Sequence, residues 1–143
     1  MRYIWIGFLL VTIVLVVSAC GRVGEFKVMD AWMLPGEKGD NSMLYFIISN
    51  ATDTDDILIG VNVDVATSAN ISLNTNDGNG DTTLQILKSL SVPAQQELIL
   101  KPDRLYVVLT DLRQDLRTGD KVEFELIFEE TGSMIIQAEV RPY

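Results

Sequence analysis

Few side chains in this sequence are equipped for chemistry. The 143 residues include no histidine and a single cysteine, Cys20. Nucleophile–base pairs that need imidazole, His or Cys zinc centres and internal disulfides are therefore excluded. What remains is soft sulfur from five methionines, oxygen from 20 acidic residues and the amides, and the one thiol. The loop Asn74-Thr-Asn-Asp-Gly-Asn-Gly-Asp81 is rich in oxygen donors. It lacks both the alternating ligands ahead of its glycine and the closing Glu of a calcium loop, so it reads as a solvated hairpin turn. Asp53-Thr-Asp-Asp56 is read as a turn on the same grounds. The pairs Glu123/Glu125 and Glu129/Glu130 stand on or beside a strand, where acids usually face water rather than do acid–base work. Asn50-Ala-Thr and Asn70-Ile-Ser fit the glycosylation sequon by chance. No constellation reads as an active site, and the chain is expected not to be an enzyme.

The thiol has a more definite setting. Met1-Arg2-Tyr3 is followed by an uncharged apolar run from Ile4 to Val17 and then by Ser18 and Ala19. A membrane span needs about 20 apolar residues, and this run is shorter, with no basic cluster after it. Val17-Ser18-Ala19-Cys20 resembles the bacterial lipobox, in which the cysteine is diacylated and becomes the new N-terminus. Acyl chains contribute about 0.8 kcal/mol per buried methylene, so two or three of them would make attachment effectively permanent. The expected organisation is a signal peptide over 1–19, a lipidated Cys20 with a tether over 20–25, and one domain over 26–143. That places the domain outside the cytoplasm, lipid-anchored at a bacterial cell membrane.

Charge agrees with an anchor made of lipid rather than of protein surface. The formal net charge is −9, and loss of the signal removes only Arg2 and leaves −10. Phosphate and anionic headgroups repel such a surface, which excludes nucleic acid as a partner and leaves membrane contact to the acyl chains.

The elements that must position any site are strands. After the tether, apolar residues recur with period two far more than with period 3.6. Val122, Phe124 and Leu126 fall on one face of Lys121–Leu126, and Met134, Ile136, Ala138 and Val140 on one face of the last segment, with a hairpin turn over Glu129–Ser133. Earlier strands are expected at Phe26–Leu34, Met43–Ser49, Ile57–Asp64, Asn70–Thr75, Thr82–Leu90, Glu97–Leu100 and Leu105–Leu112. Nine short strands at regular turn spacing imply an all-β antiparallel sandwich. The one segment with room for a helical turn is Thr110–Thr118.

Several stretches, in order, resemble the periplasmic copper(A) chaperone family, PCuAC. They are Asp30-Ala31-Trp32, Tyr45 through Asn50, Asp56-Ile-Leu-Ile-Gly-Val-Asn-Val-Asp-Val-Ala66 and Val92-Pro93-Ala94, then Leu100-Lys-Pro102, Leu109-x-x-Leu112, Leu116-x-x-Gly119-Asp120 and Phe128-Glu129-x-x-Gly132. The resemblance implies a cupredoxin-like β-sandwich. It also implies a Cu(I) site of two His and two Met, the soft donors that ion prefers. Aligned on Lys101-Pro102, the family's His-x-Met pair falls on Tyr106 and Val108, its first Met on Leu84 and its first His on Asn74, with Leu73 a poorer equivalent. All four donors are replaced. The resemblance thus implies the fold and the location of the site but no metal or other cofactor, and the expected role is binding a protein partner. The alternative is an active copper carrier for respiratory oxidase assembly using non-standard Met or acidic ligands, with Met29, Met33, Met43 and Met134 as the thioether set. Methionine is also a common gap filler in cores, and Met134 lies on an inward strand face.

Overall fold

The computed structural model describes residues 24–143 apart from residue 77. Cys20, the expected signal and most of the tether lie outside the described residues. Ten strands follow one another: β1 (Phe26–Met33), β2 (Ser42–Asn50), β3 (Asp56–Val63), β4 (Ala66–Asn76), β5 (Thr82–Leu87), β6 (Leu90–Val92), β7 (Gln96–Leu100), β8 (Leu105–Leu112), β9 (Lys121–Phe128) and β10 (Gly132–Val140). They run in the order β5-β4-β8-β2-β1-β10-β9-β3-β6, with β7 paired to the far half of β2. The result is the expected all-β, cupredoxin-like sandwich, curled nearly into a barrel.

β1 joins the two layers. Its first half pairs only with β2, up to Met29 opposite Ile47; Trp32 then faces Tyr45, and Met33 faces Leu44. Three steps along β1 match two along β2, so one residue is extra. Asp30 takes it up at φ 52°, the left-handed region that Asp tolerates better than most residues. Beyond the bulge Trp32 and Met33 pair in parallel with Glu139 and Val140 of β10. This parallel pair is the one departure from the expected antiparallel arrangement.

The core fills the space between the layers. Phe46 of β2 meets Phe124 of β9 at 5.8 Å between ring centroids, and Phe26 meets Phe128 edge-on at 4.8 Å. Around them Met33, Leu44, Ile48, Leu58, Val107, Leu109, Leu126 and Val140 are buried. The inward faces expected of β9 and β10 are the ones observed, and the β9–β10 turn closes with Gly132 at φ 83°.

Two expectations need correction. Thr82–Leu90 is not one strand: β5 pairs with β4 through Leu87, the chain bends at Lys88 and Ser89, and β6 pairs with β3 in the other layer. Alternation continues across the bend because apolar residues flank it on both sides, so period two alone does not reveal the crossing. Thr110–Thr118 holds no helical turn; the end of β8 is followed by a bridge between Leu116 and Gly36, which buries Leu116.

Two buried polar residues fix the loops at one end. Asn50 donates its amide N–H groups to the carbonyls of Thr54 and Val92 and accepts from the Thr52 N–H and hydroxyl. Fully enclosed, it offers no side chain for glycosylation. Asp56 accepts from the backbone N–H of Ile57 at 2.7 Å, of Glu130 at 2.9 Å and of Thr131 at 2.9 Å, pinning the start of β3 to the β9–β10 turn. Burial alone would raise its carboxyl pKa, but the hydrogen bonds from Thr131, Glu130 and Ile57 outweigh that and hold it below the usual carboxylate range.

Candidate functional site

Side chains alternate across a strand, so the face of β5-β4-β8-β2-β1 turned away from the core is set by register. Asn74 of β4 lies opposite Leu84 of β5. Ser72 and Asn70 lie opposite Tyr106 and Val108 of β8. Val108 lies opposite Met43 of β2, and Tyr45 opposite Trp32 of β1. The four positions named by the resemblance, Asn74, Leu84, Tyr106 and Val108, therefore share one face of three adjacent strands.

Two of the four touch. The Tyr106 hydroxyl donates to Asn74 Oδ1 at 3.0 Å. Tyr106 is 5% exposed, whereas Leu84, on the far side of Asn74, is 51% exposed. The amide oxygen is thus already occupied by a neighbour, and the flanking aliphatic side chains carry no lone pair.

Next to this pair is an aromatic cluster that the sequence did not disclose. The Tyr45 ring lies 4.5 Å from Trp32, 6.1 Å from Tyr106 and 6.3 Å from Tyr143 between centroids. The Tyr45 hydroxyl donates to Met43 Sδ at 3.2 Å and lies 2.8 Å from the Tyr143 hydroxyl. The guanidinium of Arg141 covers Trp32 at 4.8 Å from the ring centroid, a cation–π contact. Burial of Tyr45, reinforced by the Tyr143 hydrogen bond, pushes its phenol far above the usual tyrosine range, so it stays neutral at any physiological pH. Trp32 and Tyr45 both sit in stretches that carried the resemblance. The signal that could have linked them to the site is the outward set Met43, Tyr45, Ile47, but the inward set of β2 is equally apolar and hides the alternation.

The four methionines do not assemble. Met33 is wholly buried in the core, and Met134 packs against it from β10. Met29 and Met43 belong to the outer face, by their pairing with Ile47 and Val108. The extra residue at Asp30 is what separates Met29 from Met33: at a spacing of four they would share a face in a regular strand. Among the described residues no group of three or more His, Cys, Asp or Glu is placed to hold a metal ion.

The acid clusters have structural duties. Asp55 accepts from the Ala94 N–H at 2.8 Å, and Asn76 Oδ1 accepts from the Gly78 N–H at 2.9 Å inside the β4–β5 turn. Glu123 and Glu125 line a shallow groove of about 290 Å³ with Asn62, Asp64 and Ile135. Hydrogen bonds from Asn62 and Ser133 hold the Glu125 carboxyl below the usual range, which suits an ionised surface acid and not a proton donor.

The sandwich is that of a cupredoxin-like domain of the PCuAC type. A copper-bound PCuAC domain from PmoF2 superposes with a TM-score of 0.70 at 24% identity over 85% of this chain and 96% of that one. The apo PCuAC domain from PmoF1 gives 0.67 at 31% identity over 85% and 97%. The Cu(I) form of DR1885 from Deinococcus radiodurans gives 0.64 at 21% identity over 86% and 83%. Among curated proteins none matches. Residues 26–140 match the family described as "Putative lipoprotein LpqE-like". The chain belongs to that family, and its fold is the one PCuAC domains share.

Proposed function

We propose that this chain is a non-enzymatic lipoprotein, anchored outside the cytoplasm through Cys20, that keeps the PCuAC fold but not its Cu(I) site and acts by binding a protein partner. The signal peptide over 1–19, the tether over 20–25 and the domain over 26–143 are part of this reading. The observation that carries it is the state of the four positions equivalent to the family's donors. Asn74 and Tyr106 are hydrogen-bonded to each other, and Leu84 and Val108 beside them are aliphatic. Cu(I) is a soft ion that selects thioether and imidazole ligands, and this patch offers it neither. The family's description as a lipoprotein and the lipobox-like Val17-Ser18-Ala19-Cys20 support the anchor.

Titration of the full chain with Cu(I) against a competing chelator tests the reading. The expected result is no stoichiometric binding, and a tight one-to-one complex would overturn it. Under the alternative, a copper carrier with non-standard ligands, Met43 is the thioether nearest the patch. Met43→Leu would then abolish the binding seen in the same titration.

A further inference from the structure

The path of strands ends at β5 on one side and at β6 on the other, and the two ends are protected very differently. An unpaired edge presents a row of backbone N–H and C=O groups that can template another strand, and folded proteins guard such edges with charge, proline, bulges or brevity. β6 is guarded: it has three residues and runs straight into Pro93. β5 has none of these devices. Its six residues, Thr82-Thr-Leu-Gln-Ile-Leu87, contain no charge and no proline and pair with β4 without a bulge. Leu84 is 51% exposed and Ile86 62%, both on the same side of the strand.

The charges just outside the strand select the occupant. Asp81 precedes β5 and Lys88 follows it, both exposed, and neither takes part in the ion pairs of the described residues, Lys27–Glu25 and Arg117–Asp115. The segment therefore reads acid, neutral, base. A second copy laid antiparallel brings the acidic end of each strand, at Asp81, within one position of the basic end of the other, at Lys88, although the two side chains are not a direct cross-strand pair. A parallel copy would set like against like. Elsewhere two copies of a chain of net charge −9 repel, so the uncharged strip is where they can approach.

We infer that β5 is a self-association edge: two copies pair antiparallel about a two-fold axis near Gln85, continuing the β5-β4-β8-β2 layer from one molecule into the next. With Gln85 on the axis, Leu84 of each copy faces Ile86 of the other, an apolar cross-strand pair on each side. Stable interfaces bury about 1,200–2,000 Å² in total, and a six-residue edge covers less. The dimer is accordingly weak in free solution and concentration-dependent. Confinement of both copies to one membrane, under the anchor proposed above, would favour it. The inference itself does not depend on that anchor or on the copper reading.

The test is sedimentation velocity of the full chain in density-matched detergent over a concentration series. The wild-type chain should shift from one copy to two. Ile86→Lys should abolish the shift, while Ile135→Lys, at a still more exposed isoleucine on β10, should leave it unchanged and so control for micelle-driven association. Asp81→Lys should weaken the dimer several-fold, because both ends of the strip then carry neighbouring bases, and Asp81→Lys combined with Lys88→Asp should restore it. A wild-type chain that stays single, a dimer that survives Ile86→Lys, or a double swap that fails to rescue would each overturn the inference. So would a wild-type chain that remains single but binds a synthetic extended peptide, because the edge would then belong to another occupant.

Discussion

The loop end anchored by Asp56 and Asn50 and the outward patch around Asn74 and Tyr106 both carry side chains singled out by the resemblance to PCuAC domains. They are used in opposite ways. Asp56 and Asn50 direct most of their hydrogen bonds to backbone groups of the β2–β3 loop, the β9–β10 turn and the adjoining strands β3 and β6. Asn74 and Tyr106 bond to each other, across β4 and β8, with the backbone ladder already satisfied around them. A residue that holds backbone together is needed by the fold whatever the chain does. A residue whose side chain bonds only its neighbour can be exchanged at smaller cost to the fold.

The most forceful way to break this contrast is to rebuild the patch. The combined substitutions Asn74→His, Leu84→Met, Tyr106→His and Val108→Met should raise Cu(I) affinity by several orders of magnitude in a chelator competition, since imidazole and thioether replace ligands that cannot serve. If affinity does not rise, the backbone positions themselves have moved, and the contrast between a retained fold and exchangeable donors fails. Next in size is Asp56→Ala. It strands three partly buried backbone N–H groups and should cost about 2–4 kcal/mol in urea unfolding. A loss under about 1 kcal/mol would show that water replaces the carboxylate there.

Acid unfolding sharpens the same point more gently. The folded pKa of Asp56 lies below its unfolded value. Its contribution is therefore fully present above the unfolded value of about 3.9 and is lost as pH falls through the depressed folded one. Asp56→Asn should flatten the stability curve in that acid window and leave its slope near neutrality unchanged. The smallest effect belongs to the patch: Tyr106→Phe removes one side-chain hydrogen bond and should cost about 1 kcal/mol. A loss comparable to that of Asp56→Ala would mean that the patch, too, is part of the framework.

Much of this architecture is legible in the sequence because strands covered on one face alternate. β9 shows it plainly, with Val122, Phe124 and Leu126 inward and Lys121, Glu123 and Glu125 outward. The reading fails where the physics behind alternation fails. β2 is apolar on both faces, so Tyr45 and Met43 could not be told from core residues and the aromatic cluster went unseen. The bulge at Asp30 inverts the phase of β1 without a glycine to mark it, and regular alternation would put Met29 and Met33 on one face. The crossing at Lys88–Ser89 preserves the pattern while changing layers. The positions of Asn74, Leu84, Tyr106 and Val108 came from the family resemblance and not from periodicity. That the phenol of Tyr106 and the amide of Asn74 would satisfy each other required coordinates.

β1 begins with Phe26 and ends beside the last strand, at the pole where Tyr143 reaches Tyr45. With a rise of about 3.3 Å per residue, the six steps from Phe26 to Trp32 span about 20 Å. Under the anchor proposed above, Trp32 and Tyr143 would therefore lie about 20 Å from the end of β1 at which the domain is held.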